Sequence, residues 1–290
     1  MNDIIRPRRS ALYMPGSNQR AMEKARNLPA DVLILDLEDA VAPDEKVTAR
    51  QQVFEEINHG GYGPREIVIR INGLDTEWHE EDLIAAATSK ANAILLPKVE
   101  QANQVRAIAN ALPDGMDLWC MMETPLAILN AQEIASASSR TTCLVMGTSD
   151  LATELNALHT PHREPFTASL SLCLLAARAF GLMALDGVFL DLNDGPGFET
   201  ACAQGRQFGF DGKTLIHPNQ LSEANKAFAP SKGEISEAKI IISAFEQAKS
   251  EGKGLVVING RLVENLHVAA ARRLLSISDA IEAHEFVSSS

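Results

Sequence analysis

Residues 33–41 read LILDLEDAV, an apolar run of strand character that turns abruptly into carboxylates at Asp36, Glu38 and Asp39. Successive apolar positions bury both faces of a strand, the pattern of a parallel sheet covered on each side. The acidic residues then mark the strand's C-terminal end, where their mutual repulsion calls for cations or protons nearby. Working outward, similar apolar runs fall at Ser10–Met14, Val32–Leu37, Ile67–Ile71, Ala93–Pro97, Leu118–Met122, Cys143–Gly147, Gly187–Leu190 and Gly209–Leu215. Between them lie helix-like segments such as Asn18–Leu28, Pro43–Asn58, Thr76–Ala87, Gln101–Ala111 and Pro165–Phe180. Eight strand–helix units predict a (β/α)8 TIM barrel. A doubly wound open sheet is the alternative, weakened because no Gly-x-Gly-x-x-Gly follows the first strand.

After Gln220 the pattern changes. Ile235–Ser250 reads as a helix, GLVVING (254–260) as a short strand ending in a turn, Val263–Leu275 as a further helix, and the closing VSSS as frayed. The reading is a barrel domain over 1–228 and a C-terminal helical extension over 229–290. That extension packs on its own barrel or on a neighbouring subunit.

With 290 residues, 46% of them hydrophobic, the chain can bury a large core. The net charge of -12, with no extended block of Lys or Arg, argues against nucleic acid and anionic membranes as partners. An anionic ligand must therefore be met by a few placed cations or by a metal. The four cysteines have no paired spacing, which suits reduced thiols. MNDIIRPRRS has no apolar signal core, and no run of about 18 apolar residues is present. The expectation is a cytoplasmic protein.

In such barrels the reactive groups sit at the C-terminal ends of strands. Those ends read YMPGSN, DLEDAV, IRIN, LPKVE, METP, GTSDL, LDLND and GKTLIHP. Glu123 and Asp150 end strands five and six, and two carboxylates there suit a hard cation that keeps several waters, typically Mg²⁺. Asp150 could equally cap the following helix. Arg70, among β-branched residues, needs an anionic partner, which the strand-two carboxylates or a substrate could supply. Lys98, Lys213 and His217 also lie at strand ends, and His217 could simply cap a helix start. Arg9, Arg20 and Lys24 form a local positive patch that could receive phosphates, or a solvated helix face.

Together the words RRSALYMPGSN, ADVLILDLEDAV, VIRING, ILLPKVE, METPLAI, MGTSDLATEL and GFDGKTLIHPNQ resemble the HpcH/HpaI aldolase and citrate lyase beta-subunit superfamily. They run in order from Arg8 to Gln220, and INGRLVENLHVAAARRLL extends the likeness into the tail. The citrate-lyase-like branch, with its malyl-CoA, citramalyl-CoA and β-methylmalyl-CoA lyases, is the most similar. The resemblance implies a Mg²⁺-dependent retro-Claisen lyase that cleaves a 3-hydroxyacyl-CoA to acetyl-CoA and a 2-oxo acid. It implies that Glu123 and Asp150 bind Mg²⁺ and that Arg70 stabilises the enolate. Glu38 and Asp39 would hold Arg70 and metal-bound waters. Arg9, Arg20 and Lys24 would meet the CoA phosphates, while Gly147, Thr148 and Ser149 cradle the substrate carboxylate.

Two departures stand out. Many malyl- and citramalyl-CoA lyases carry Gly-Lys-Met-x-Asp in the tail, whose Asp enters a neighbour's site as acid/base. Here Glu264 stands at that position. The pyruvate-aldolase branch usually has Glu-His after strand two, and this chain has Glu38-Asp39. The resemblance further implies a homo-oligomer, a trimer or hexamer. The alternatives are a citrate lyase beta subunit acting on an acyl-carrier-protein thioester, a CoA-independent pyruvate aldolase, and a non-catalytic acyl-CoA-binding barrel. The first usually has Glu-Asp where this chain has Ser149-Asp150.

Overall fold

In the computed structural model, which describes residues 6–250, 256–258 and 261–289, the apolar runs pair edge to edge until the last meets the first. The strands are β1 (Ser10–Pro15), β2 (Val32–Asp36), β3 (Glu66–Arg70), β4 (Ala93–Leu96), β5 (Asp117–Met122), β6 (Thr141–Met146), β7 (Met183–Asp186) and β8 (Gly212–Leu215). All neighbours are parallel and the closed order is β1 through β8, so the chain is a (β/α)8 barrel. The outer helices are α1 (Gln19–Ala25), α2 (Lys46–His59), α3 (His79–Ala87), α4 (Ala102–Ala111), α5 (Pro125–Leu129), α6 (Ala131–Ala135), α7 (Thr148–Leu155), α8 (Thr167–Ala179), α9 (Gly195–Phe208) and α10 (Leu221–Phe228).

Alternation along each strand explains why both of its faces are apolar. Ala11, Ile34, Val68, Leu95, Trp119 and Val145 fill the lumen. Leu12, Leu33, Leu35, Ile69, Ile94 and Leu144 point outward into the layer shared with the helices. At the N-terminal end of the lumen Arg8 lies over the Trp119 ring at 4.5 Å and gives Glu66 two hydrogen bonds of 2.7 and 2.8 Å. Beside it the Arg9 guanidinium donates to both Asp31 oxygens at 2.9 Å. Arg9 precedes β1 and Asp31 precedes β2, so this pair sits opposite the strand ends where chemistry collects. The expectation that Arg9 joins a phosphate-binding patch is thereby corrected: its charge is consumed by a buried carboxylate on the far face.

Strand seven also differs from the reading. β7 is Met183–Asp186, whereas Gly187–Leu190 forms no strand. Gly181, at φ +72, ends the turn after α8 and lets the strand begin early. The charge of Asp186 disguises it, because that carboxylate is fully buried between Lys213 (2.8 Å) and Arg163 (2.6 Å). The words after it, LDLND, are an exposed connection in which Asp194 caps α9.

The chain divides into two compact units, Arg8–Phe228 and a second that contains Ala229 onward. In the second, α11 (Lys232–Ser250) packs on α12 (Asn265–Ser289), with Phe245, Val263 and Val268 between them. β9 (Val256–Ile258), within the short strand read in GLVVING, pairs antiparallel with β10 (Arg261–Val263), a strand the reading lacks and whose last residue is where the expected helix begins. The turn within GLVVING lies outside the described residues. α12 runs to Ser289, through most of the VSSS read as frayed. All four cysteines are buried free thiols. Among the described residues no helix is long and apolar enough to cross a membrane.

Candidate active site

Asp36 ends β2 and Arg70 ends β3, and the two stand side by side in register. Counting by twos from Ile34 and Val68, which line the lumen, both side chains face the barrel's C-terminal mouth. The guanidinium makes a two-pronged contact with Asp36, Nε to Oδ1 and Nη2 to Oδ2, each 2.6 Å. Its Nη1 lies 2.8 Å from Glu38 Oε2 and 3.4 Å from Asp39 Oδ2. Tyr13 offers its ring face at 4.8 Å. Burial alone would weaken the guanidinium's hold on its proton, but the Asp36 carboxylate outweighs it and the pKa stands well above the ordinary value. Arg70 is thus a permanent cation fixed in place.

This arrangement settles what balances the carboxylates of LILDLEDAV and corrects their ranking. Asp36, named from sequence only within the strand-two cluster, is the principal partner of Arg70. Asp39, a candidate there, keeps a side chain 58% exposed and only a long contact. Glu38 is buried, and burial pushes its pKa up to about 7, with Asp39 and Asp36 adding and Arg70 and Lys98 opposing. The turn that carries Glu38 is gripped from behind. Lys46 Nζ donates to the carbonyls of Leu37 (2.8 Å) and Glu38 (2.7 Å). Asn72 Nδ2 donates to Leu37 O at 2.9 Å and to Asp82 at 2.6 Å. A cleft of about 330 Å³ opens beside this turn, lined by Glu38, Asp39, Lys46, Trp78 and Lys98 among others.

Across the mouth Glu123 follows β5 and is 1% exposed. Its Oε1 accepts the Lys98 N–H at 2.6 Å. Burial pushes its pKa up to about 8, Glu38 and Asp150 push further, and the Lys98 amide and Arg70 oppose. Glycine is required at 147, because a Cβ there would stand 2.4 Å from that of Glu123. Gly147 is also the N-cap of α7, which places Thr148, Ser149 and Asp150 in the first turn. The amides of a first turn have no intrahelical acceptor and present a positive dipole end. Asp150 is not the cap, which leaves its half-buried carboxylate available.

Among the described residues no three His, Cys, Asp or Glu side chains form a ligand cluster. Glu123 and Asp150 still suit a hard divalent cation that keeps water and substrate oxygens as its other ligands. Both are oxygen donors, and the Asp150 charge adds to the burial that disfavours ionised Glu123, so a cation between them would offset both. Such a metal fits the residues present.

The remaining candidates are not brought together. Arg20 and Lys24 are exposed on α1, at the mouth end of β1, apart from Arg9. Lys213 is spent on Asp186 outside the lumen, and His217 Nδ1 accepts the Asn219 N–H at 3.1 Å as a cap. Glu264 belongs to the second unit, where it precedes α12 and its N–H donates to His267 Nδ1 at 3.1 Å. Sequence reasoning missed Tyr13, Lys46 and Asn72, and it named Asp36 only as one of the strand-two cluster offered to Arg70. Alternation with Ile34 and register with Arg70 are the signals that could have singled out Asp36.

Three comparisons bear on this geometry. Residues 9–218 match the family model described as HpcH/HpaI aldolase/citrate lyase. The chain is 51% identical over 277 residues to a (3S)-malyl-CoA thioesterase of Cereibacter sphaeroides, spanning 96% of both proteins. To an L-malyl-CoA/beta-methylmalyl-CoA lyase of the same species it is 33% identical, again over 96% of both. Among solved structures, protein CitE from Mycobacterium tuberculosis in complex with magnesium, acetoacetate and coenzyme A superposes with a TM-score of 0.75 at 30% identity. That alignment covers 93% of this chain and 97% of the other. A match that takes in almost the whole barrel, joined to relatives alike from end to end, makes this chain a member of the HpcH/HpaI aldolase/citrate lyase family.

Proposed function

We propose that the protein hydrolyses a malyl-type CoA thioester with the help of Mg²⁺. The observation that carries this reading is the 51% identity, over 96% of both chains, to a (3S)-malyl-CoA thioesterase. The site chemistry supports it. When bound by Glu123 and Asp150, the metal supplies a Lewis acid that clamps substrate oxygens. Asp36 engages Nε and one Nη2 hydrogen of Arg70, and Glu38 and Asp39 face Nη1, so the second Nη2 hydrogen is the one left for a thioester carbonyl oxygen. Charge develops on that oxygen as water attacks the carbonyl carbon, and a cation already fixed in place stabilises it without reorganisation. Glu38, with a pKa near 7, takes the proton from the attacking water. The tetrahedral oxyanion then collapses, the carbon–sulfur bond breaks, and the CoA thiolate receives that proton. The first-turn amides of Thr148, Ser149 and Asp150 suit the distal carboxylate, and exposed Arg20 and Lys24 suit the CoA phosphates.

A second reading, retro-Claisen cleavage, is favoured by the same fixed guanidinium, which fits a thioester enolate equally well. The relative named as a malyl-CoA/beta-methylmalyl-CoA lyase, at 33% identity, supports it. Incubating the purified chain with Mg²⁺ and (3S)-malyl-CoA separates the two. Free CoA and malate mean hydrolysis, whereas acetyl-CoA and glyoxylate mean cleavage. Citramalyl-, β-methylmalyl- and citryl-CoA extend the panel, and no product from any of them overturns both readings.

A further inference from the structure

Lys98 has a left-handed backbone, with φ +50. A long unbranched side chain gains nothing from that conformation, which glycine adopts freely and Asn tolerates. The other two such residues described are Asn156 and Arg163. Asn156 is a helix C-cap, where the conformation is ordinary. Lys98 ends no helix. It follows β4 at the mouth, and two contacts leave it in different directions. Its N–H reaches Glu123 Oε1 at 2.6 Å, and its Nζ reaches Glu38 Oε1 at 3.3 Å.

These are two of the three buried carboxylates at the mouth, the third being Asp36, and they stand on the Asp150 side and the Arg70 side respectively. Rotation about N–Cα leaves the amide in place and swings the side chain, so with an extended φ the same amide contact would send the ammonium in another direction. Glycine would keep the amide contact without strain but would lose the ammonium. A strained residue at a functional position points to a use for the strain. We propose that Lys98 is a positioning residue. Its left-handed backbone lets one residue hold Glu123 by the amide and Glu38 by the ammonium, so that the metal-holding and Arg70-bound halves of the site keep a fixed spacing. The proposal rests on the reading of Glu123 as a metal ligand.

Lys98→Asn tests it, because Asn relieves the strain, keeps the amide and lacks the ammonium. Three readouts apply: the melting temperature of the metal-free protein, Mn²⁺ affinity by calorimetry, and turnover of (3S)-malyl-CoA. The expected result is a Tm at or above wild type and a Mn²⁺ Kd within about twofold. The kcat should fall about tenfold or more with KM little changed, as misplacement of reacting groups produces. Lys98→Arg, which restores a cation, should recover most of that loss. Wild-type kcat in Lys98→Asn overturns the proposal, and so does a fall in Tm and Mn²⁺ affinity together, which would mark an ordinary structural contact. Glu123→Gln serves as the control for the metal: undiminished Mn²⁺ binding there sinks the metal reading. If the wild-type protein turns over no malyl-CoA, the functional reading fails and Tm and Mn²⁺ binding still decide. A Lys98→Asn protein less stable than wild type then removes the strain on which the proposal stands.

Discussion

Asp36 and Asp39 both touch Arg70, yet their substitutions should behave very differently. Asp36→Asn leaves a buried guanidinium without its two-pronged partner, a defect of about 3–5 kcal/mol. Asp39, more than half exposed, forms a screened pair, and Asp39→Asn should change stability by less than about 1 kcal/mol. Urea denaturation of the two variants tests that order, and equal losses would show that the two-pronged contact is unimportant. A second residue-scale prediction concerns protons. Glu123 and Glu38 have pKa values raised to about 8 and about 7. A carboxyl with a raised folded-state pKa stabilises the fold through its protonated form. Its contribution is complete below the unfolded carboxyl range and is lost as pH rises through the folded value. If Glu123 is a metal ligand as proposed, the metal displaces its proton, and Mg²⁺ or Mn²⁺ should bind more tightly by up to about tenfold per pH unit as pH climbs toward 8. Calorimetry in buffers of different ionisation enthalpy should show proton release, and Glu123→Gln should abolish it. The acidic cluster, Arg70 and the carboxylate pair were legible in the sequence because charges at apolar strand ends are conspicuous. Which carboxylate of that cluster grips Arg70 was not, because Asp36 is singled out only by standing in register beside a residue 34 positions away.

At the scale of elements, glycine does what no motif announces. Gly147→Ala would drive a methyl into Glu123, and Mn²⁺ affinity should fall roughly 10–100-fold, as when the support of a ligand is lost. An unchanged affinity would mean that β6 can retreat. Gly212 guards the β8–β1 seam, where a Cβ would lie 1.8 Å from the Arg8 carbonyl oxygen. Since backbone and not a flexible side chain stands in the way, Gly212→Ala should destabilise the barrel by about 3 kcal/mol, measurable as a lowered Tm. Seven of the eight strands could be read within a few residues, because β-branched and leucine-rich runs are strong signals. β7 escaped because its four residues include a buried aspartate, which imitates a loop until Lys213 and Arg163 neutralise it. β9 was read within GLVVING, but its partner β10 escaped for another reason: three residues carry too little pattern to stand apart from the helix that follows.

For the whole molecule, every side chain assigned to the mouth comes from the barrel unit, whereas Glu264 comes from the other. If that carboxyl serves as acid or base, Glu264→Gln in the full-length chain should lower kcat by roughly 100-fold and leave Mn²⁺ affinity alone. Undiminished turnover would remove the tail from the chemistry.

Closure of the barrel also bears on how the chain is made. Ser10 of β1 lies beside Lys213 of β8, so the two sides of one seam are separated by nearly the entire barrel sequence. At roughly 5–20 residues per second, β8 leaves the ribosome on the order of 10–40 seconds after β1. Throughout that interval β1 presents a bare apolar edge able to recruit other nascent chains. The clasps from Arg9 to Asp31 and from Arg8 to Glu66 join β1 to β2 and β3, which emerge soon after it. They can order the first third of the barrel early, but they leave its outer edge open. Newborn copies therefore keep that edge unpaired until synthesis passes Leu215, so nascent chains truncated before β8 should aggregate more readily than the full chain.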